Sequence, residues 1–174
     1  MLKSLMKKKI KIGISACLTG KRVRYDGSHR LDRSIKKWAG RSVKFIPVCP
    51  EVECGLPVPR EPMILKGDPH KPRLITINTG IDHTERLRRW LKIKLKELKA
   101  LGISGFIFKS RSPSCGLKSV KLEGSRKKIN GLFADAIVRT FPEMPVIEDE
   151  KLHDPETRRK FKQKIRSYSH DSSS

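Results

Sequence analysis

The stretch Ile103-Ser-Gly-Phe-Ile-Phe-Lys-Ser-Arg-Ser-Pro-Ser-Cys-Gly116 decides how the chain is read. Ile103 to Phe108 is a short, mostly apolar run entered from Gly102, the pattern of a strand buried on both faces in the middle of a parallel sheet. A polar turn rich in Ser, with Pro113, follows at once and carries Cys115. Two other cysteines stand in the same relation to strand-like runs. Ile10, Ile12, Ile14 and Ala16 alternate with Lys9, Lys11, Gly13 and Ser15, the period-2 pattern of a strand, and Cys17 comes next. Val43 to Val48 is another such run, and Cys49 comes next. In a parallel α/β sheet the loops at the carboxyl ends of the strands gather into one crevice, where residues distant in sequence meet.

The segments between these strands read as helices. Ser28 to Ala39 is a short helix closed by Gly40. From an Asp82 cap, Leu87, Trp90, Leu91, Leu95, Leu98 and Leu101 form one apolar stripe, with Arg86, Arg88, Arg89, Lys92, Lys96 and Lys99 on or around the opposite face. Gly131 to Thr140 is a further helix, and Met144 to Ile147 a last short strand. Leu74 to Asn78, between Pro72 and Gly80, reads as a weaker edge strand. The loop Cys49 to Arg60 is rich in Pro and Gly and is expected to stay extended. This alternation predicts an α/β fold, a Rossmann-like open, mostly parallel sheet with flanking helices. Asp154-Pro155 starts a basic C-terminal helix to about Arg166, expected to be an appendage with few apolar residues, and Ser167 to Ser174 reads as a disordered tail. The division is thus 1–150 for the α/β domain and 151–174 for the helix and tail.

At 174 residues the chain suits one core. Its 40 Lys and Arg against 18 Asp and Glu leave a net charge of +22, which favours polyanion partners or reflects a solvated basic surface. No apolar run approaches the roughly 18 residues of a membrane span. Ile14-Ser-Ala-Cys17 behind the basic stretch Lys7 to Lys11 mimics a lipoprotein signal, but Lys9, Lys11 and Gly13 break the apolar region such a signal needs. Four scattered cysteines fit a reducing compartment, hence a cytoplasmic protein whose thiols serve a metal or catalysis.

Walker-A, Gly-x-Gly-x-x-Gly, His-Glu-x-x-His and nucleophile-elbow motifs are absent, as are Cys-x-x-Cys zinc knuckles. One thiol on each of three loops is either a set of small buried residues or a ligand set. Three thiolates match a 4Fe-4S cluster with one open iron better than a closed zinc site, and an open iron acts as a Lewis acid toward a soft sulfur atom. Glu51, two residues past Cys49, reads as a general base, or else as a surface glutamate or the ion-pair partner of Arg60. Ser112 and Ser114 donate to cluster sulfur or a base edge, or cap local backbone. Lys109 and Arg111 hold a phosphate or polar base, or are surface charges, and Asp26 makes the turn that Gly27 suggests.

Four motifs in order, Ile14-Ser-Ala-Cys-Leu-Thr-Gly20, Val23-Arg-Tyr-Asp-Gly27, Pro47 to Arg60 and Lys109 to Gly116, resemble the thiouracil desulfidase family over most of residues 9–147. The resemblance implies an oxygen-sensitive 4Fe-4S enzyme with Cys17, Cys49 and Cys115 at the ligand positions and Glu51 following the second. It implies replacement of a thiocarbonyl sulfur by oxygen on a thiolated pyrimidine, without net redox change, and Ser112 is the serine expected to assist. Gly131 to Ala134, Phe141 to Glu148 and Asp154 to Phe161 resemble longer members with a second C-terminal domain and a link to thiolated tRNA. Cys54 stands where a small residue is usual and reads as a buried thiol, a fourth ligand or a sulfur relay. The rival readings are an RNA-binding module with structural zinc or buried cysteines, and an iron-sulfur electron carrier.

Overall fold

The computed structural model describes residues 9–171. In chain order these form β1 (Ile10–Ser15), a 3-10 turn (Ala16–Thr19), α1 (Arg33–Ala39), β2 (Val43–Val48), α2 (Pro50–Glu53), β3 (Met63–Asp68), β4 (Lys71–Thr76) and α3 (Thr84–Leu101). There follow β5 (Phe106–Phe108), β6 (Val120–Lys121), β7 (Lys128–Ile129), α4 (Leu132–Thr140), β8 (Val146–Glu148), a second 3-10 turn (Asp149–His153) and α5 (Pro155–Asp171). Four strands make one parallel sheet in the order β2-β1-β5-β8. The architecture is the expected α/β class. Chain direction across the sheet reverses between β1 and β5, the topological switch where such sheets bind ligands.

Alternation along the strands sorts the core into two layers. On β5, Phe106 and Phe108 pack with Leu87, Leu91 and Leu98 of α3 and Phe133 and Ile137 of α4. Ile107 points the other way and joins Ile12 and Ile14 of β1, Ile35 and Ala39 of α1, and Phe161 and Ile165 of α5. Period-2 strands therefore bury both faces, and the helices cover them in pairs. Gly13 belongs to this logic: a Cβ there would lie 2.2 Å from the Phe106 ring, so only glycine admits the stacked Phe106 and Phe108 beside β1.

Several local expectations are corrected. The C-terminal helix is a core element: Phe161 is 4% and Ile165 0% exposed, and two anchors a turn apart suffice to seat an otherwise basic helix. It also runs to Asp171, past the expected end at Arg166, so much of the expected tail is helical; Ser172 to Ser174 lie outside the described residues, as do Lys7 and Lys8 of the signal-like stretch. The first helix begins only at Arg33, because the Asp32 carboxylate caps it by accepting from Ser34 N and Ile35 N. The weak strand at Leu74 is half of a hairpin, β3 against β4, whose turn is set by His70 N donating to Asp68 Oδ1 at 2.8 Å. The central strand has three ladder residues, not six. The loop after β2 is not wholly extended, since Pro50 opens the single turn α2 from the N1 position. Among the described residues no helix is long and apolar enough to cross a membrane.

Candidate active site

All four parallel strands end on one cavity of about 620 Å³. Its lining draws Ser15 to Cys17 from the exit of β1, Val48 to Glu51 from β2, Lys109 to Pro113 and Cys115 from β5, and Asp149, Glu150 and His153 from β8. Cys17, Cys49, Cys115, Glu51 and Ser112 thus all line one chamber. Ser15 pairs with Val48 across the β1–β2 ladder, so the Cys17 and Cys49 loops leave the sheet side by side.

Each thiol is held by a different device. Cys17 sits in the 3-10 turn, with its carbonyl accepting from Arg30 N at 2.9 Å and Gly20 N at 3.3 Å. Cys49 caps α2; its Sγ donates to Val23 O at 3.8 Å, and its N–H donates to Glu53 Oε1 at 3.1 Å. Cys115 is 5% exposed in a tight turn whose backbone is tied in by Ser112 Oγ, which accepts from Ser114 N at 3.3 Å and Cys115 N at 3.2 Å. The Ser114 carbonyl then accepts from Phe133 N and Ala134 N, so the same turn closes the start of α4. Arg111 and Lys118 take φ of 62° and 57° in this loop, a conformation costing roughly 1–2 kcal/mol per residue outside glycine. Their N–H groups are fixed by Ser119 Oγ and Asn130 Oδ1, both at 2.8 Å.

Burial pushes the Cys17 thiol up to about 11, with the charge of Cys49 adding to it and those of Arg24 and Lys109 opposing. Burial likewise raises Cys49 and Cys115, and the charges of both Cys49 and Cys17 also push Cys115 up. The three thiols are therefore close enough to feel one another in a desolvated chamber, where a metal replacing their protons relieves that penalty. Among the described residues no group of three or more His, Cys, Asp and Glu side chains could hold a single metal ion. The chemistry of the donors, three thiols from separate loops lining one desolvated cavity, suits an iron-sulfur cluster. Cys54 is not part of that lining. It packs against the hydrophobic core cluster that includes Leu56, Leu87 and Leu91, and its Sγ donates to Glu51 O at 3.2 Å.

Glu51 is 9% exposed and fully engaged. Arg60 holds Oε2 from Nε at 2.7 Å and Nη2 at 2.6 Å, and Ser114 Oγ donates to Oε1 at 2.8 Å. Glu51 is the ion-pair partner of Arg60, and it also lines the chamber. Arg60 also ties down the Val23–Tyr25 segment, with Nη2 donating to Val23 O at 2.9 Å and its N–H to Tyr25 O at 2.8 Å. Asp26 makes the expected turn by accepting from Ser28 N.

Sequence reasoning did not single out Asp149. It accepts from Lys109 Nζ at 2.9 Å and Ser110 N at 2.8 Å, pairing the basic residue expected to bind substrate phosphate. The signal was present as a carboxylate just past the last strand, masked because that strand ends at Glu148 rather than Ile147. Arg111 pairs with Glu150 at the surface. Ser112 faces the chamber but spends its oxygen on backbone N–H groups, whereas Ser114 bonds the carboxylate.

Comparison with known proteins matches residues 12–149 to the model of the 2-thiouracil desulfurase family. The uncharacterized protein YbbK of Bacillus subtilis (strain 168) is 32% identical over 148 residues, 81% of this chain and 97% of that protein. Among solved structures, the 4Fe-4S-dependent thiouracil desulfidase TudS is similar with a TM-score of 0.70 and 30% identity, covering 89% of this chain and 99% of that one.

Proposed function

Because the chain belongs to the 2-thiouracil desulfurase family and is an enzyme of that kind, we propose that it replaces the sulfur of a thiolated pyrimidine with oxygen, using a 4Fe-4S cluster held by Cys17, Cys49 and Cys115. The observation that carries this reading is the meeting of those three thiols and the charge-paired Glu51 in one cavity at the carboxyl ends of four parallel strands. Held by Cys17, Cys49 and Cys115, the cluster would supply Lewis acidity toward the thiocarbonyl sulfur of the substrate.

The chain's own groups do the rest. Arg60 fixes Glu51 Oε2, leaving Oε1, already oriented by Ser114, as the atom that takes a proton from the attacking water. The water oxygen forms the new bond to carbon, the carbon–sulfur bond breaks, and sulfur leaves as hydrogen sulfide with the protons the water brought. Oxidation states do not change. Lys109, tied to Asp149, adds positive charge to the wall of the cavity where negative charge gathers on the departing sulfur. Ser112 serves as the backbone clamp of the Cys115 turn.

The substrate is a thiolated pyrimidine presented as free base, nucleotide or part of tRNA, in a cytoplasm reducing enough to keep the thiols free. The net charge of +22 supports the polyanionic forms. Anaerobic reconstitution followed by sulfide release from thiouracil, thiouridine monophosphate and thiolated tRNA tests the reading. Brown protein with about four irons and four sulfides per cluster and sulfide release is expected. Colourless, zinc-loaded protein that releases none overturns it.

A further inference from the structure

Lys94 is a buried charge that no step of the proposed reaction uses. It is 7% exposed in the middle of α3, and its Nζ lies 2.9 Å from Glu53 Oε2 and 3.2 Å from each oxygen of Glu97. Glu53 lies at the surface and offers its other oxygen, Oε1, to the backbone N–H of Cys49 at 3.1 Å. A continuous chain of charge-assisted hydrogen bonds therefore runs from α3 to a thiol-bearing residue of the cavity. Neither Lys94 nor Glu53 lines that cavity. The same face of α3 brings Arg86, two turns earlier, against the same loop: a Cβ on Gly55 would lie 3.2 Å from Arg86 Nη1.

We propose that Lys94 is a positioning residue for the desulfidase reaction, holding Glu53 on the Cys49 amide and offsetting the carboxylate charge bonded to that residue's backbone. The inference rests on the cluster reading for Cys49, but the tether itself exists in the chain whether or not a cluster is bound. Without Lys94, Glu53 is drawn to solvent and the Cys49 amide loses its acceptor, or it stays and leaves an uncompensated negative charge beside the ligand. In either case Cys49 is affected through Glu53 rather than through the hydrophobic core. The bonds and the charge of Glu53 and Glu97 outweigh burial and raise the Lys94 pKa above that of an ordinary lysine, consistent with a fixed cation.

Two measurements test this on the full chain. In amide hydrogen exchange, Lys94→Met is expected to accelerate exchange at Cys49 by about tenfold or more, the loss of one charge-assisted bond, while Lys94→Arg preserves the slow rate. In redox titration of the reconstituted protein, Lys94→Met is expected to lower the cluster potential, Glu53→Gln to raise it, and the double variant to return toward the wild type. General loosening of the fold moves both single variants the same way and does not cancel in the double. Unchanged Cys49 exchange in Lys94→Met, or shifts of the same sign in the two single variants, overturns the proposal. A wild-type chain that takes up no cluster sinks the cluster reading instead, and the exchange measurement still decides the tether.

Discussion

Ser114 donates its hydroxyl hydrogen to Glu51 Oε1 across 2.8 Å, with the serine 1% and the glutamate 9% exposed, and so joins the loop after β5 to the loop after β2. Ser114→Ala leaves that carboxylate oxygen short of a donor in a desolvated place. A hydrogen bond to a charged group contributes about 1.5–3 kcal/mol, so kcat for sulfide release is expected to fall roughly 10- to 100-fold. Ser112→Ala, by contrast, removes an acceptor for two backbone N–H groups and is expected to show first as lowered thermal stability, of about 1 kcal/mol. Steady-state kinetics and melting curves of the two variants side by side separate these roles.

Arg60 and Glu51 form a buried pair, their side chains 7% and 11% exposed. Removing one member of such a pair strands the other, at about 3–5 kcal/mol. Arg60→Met is therefore expected to lower stability by that order, more than Glu51→Gln, which keeps a polar partner for both Arg60 and Ser114. Glu51→Gln is expected to retain the cluster spectrum and lose about 100-fold or more in turnover. Denaturant unfolding and anaerobic kinetics check the pair, and near-normal turnover in Glu51→Gln removes its role as base.

Cys17→Ala, Cys49→Ala and Cys115→Ala are each expected to abolish cluster-dependent desulfuration, while Cys54→Ala, which packs on the hydrophobic core outside the cavity lining, retains it. Iron and sulfide content after anaerobic reconstitution is the check. Full activity after loss of any of the first three refutes the ligand assignment.

The raised thiols carry a stability signature in the cluster-free chain. Cys17 ionises near 9.0 when unfolded and about 11 when folded, so between those values the unfolded state loses its proton while the folded state keeps it. Stability is therefore intact below about pH 9 and falls as pH rises toward 11, at about 1.4 kcal/mol per pH unit for one such group. Cys17→Ala is expected to flatten that decline, as followed by thermal melts across the range. An identical slope in the variant contradicts the burial argument.

Phe161 on α5 packs against Trp38 with ring centroids 5.9 Å apart and is 4% exposed. Phe161→Ala is expected to cost roughly 3–5 kcal/mol, as a large core truncation does, and to lower the melting temperature of the whole chain in one transition. A small surface-like effect would return α5 to the status of an appendage.

Sequence by itself determined the class of the fold and which loops would bring Cys17, Cys49, Glu51, Ser112 and Cys115 to one chamber. The alternation at Ile10 to Ala16, the apolar runs ending at Val48 and Phe108, and the helical stripe of α3 follow from side-chain period, which is local and survives without tertiary information. Because parallel strands deliver their exits to one side, Cys17, Cys49, Glu51, Ser112 and Cys115 were legible as neighbours before any coordinate. Only the tertiary structure decided which groups touch. Ser114 rather than Ser112 reaches Glu51, Asp149 claims Lys109, and Lys94 reaches Glu53, since each of these bonds spans elements whose separation no periodicity encodes. The core role of α5 was hidden for the same reason. Two apolar anchors on a basic helix say little until the sheet face they fill, around Ile12, Ile14 and Ile107, is seen to need them.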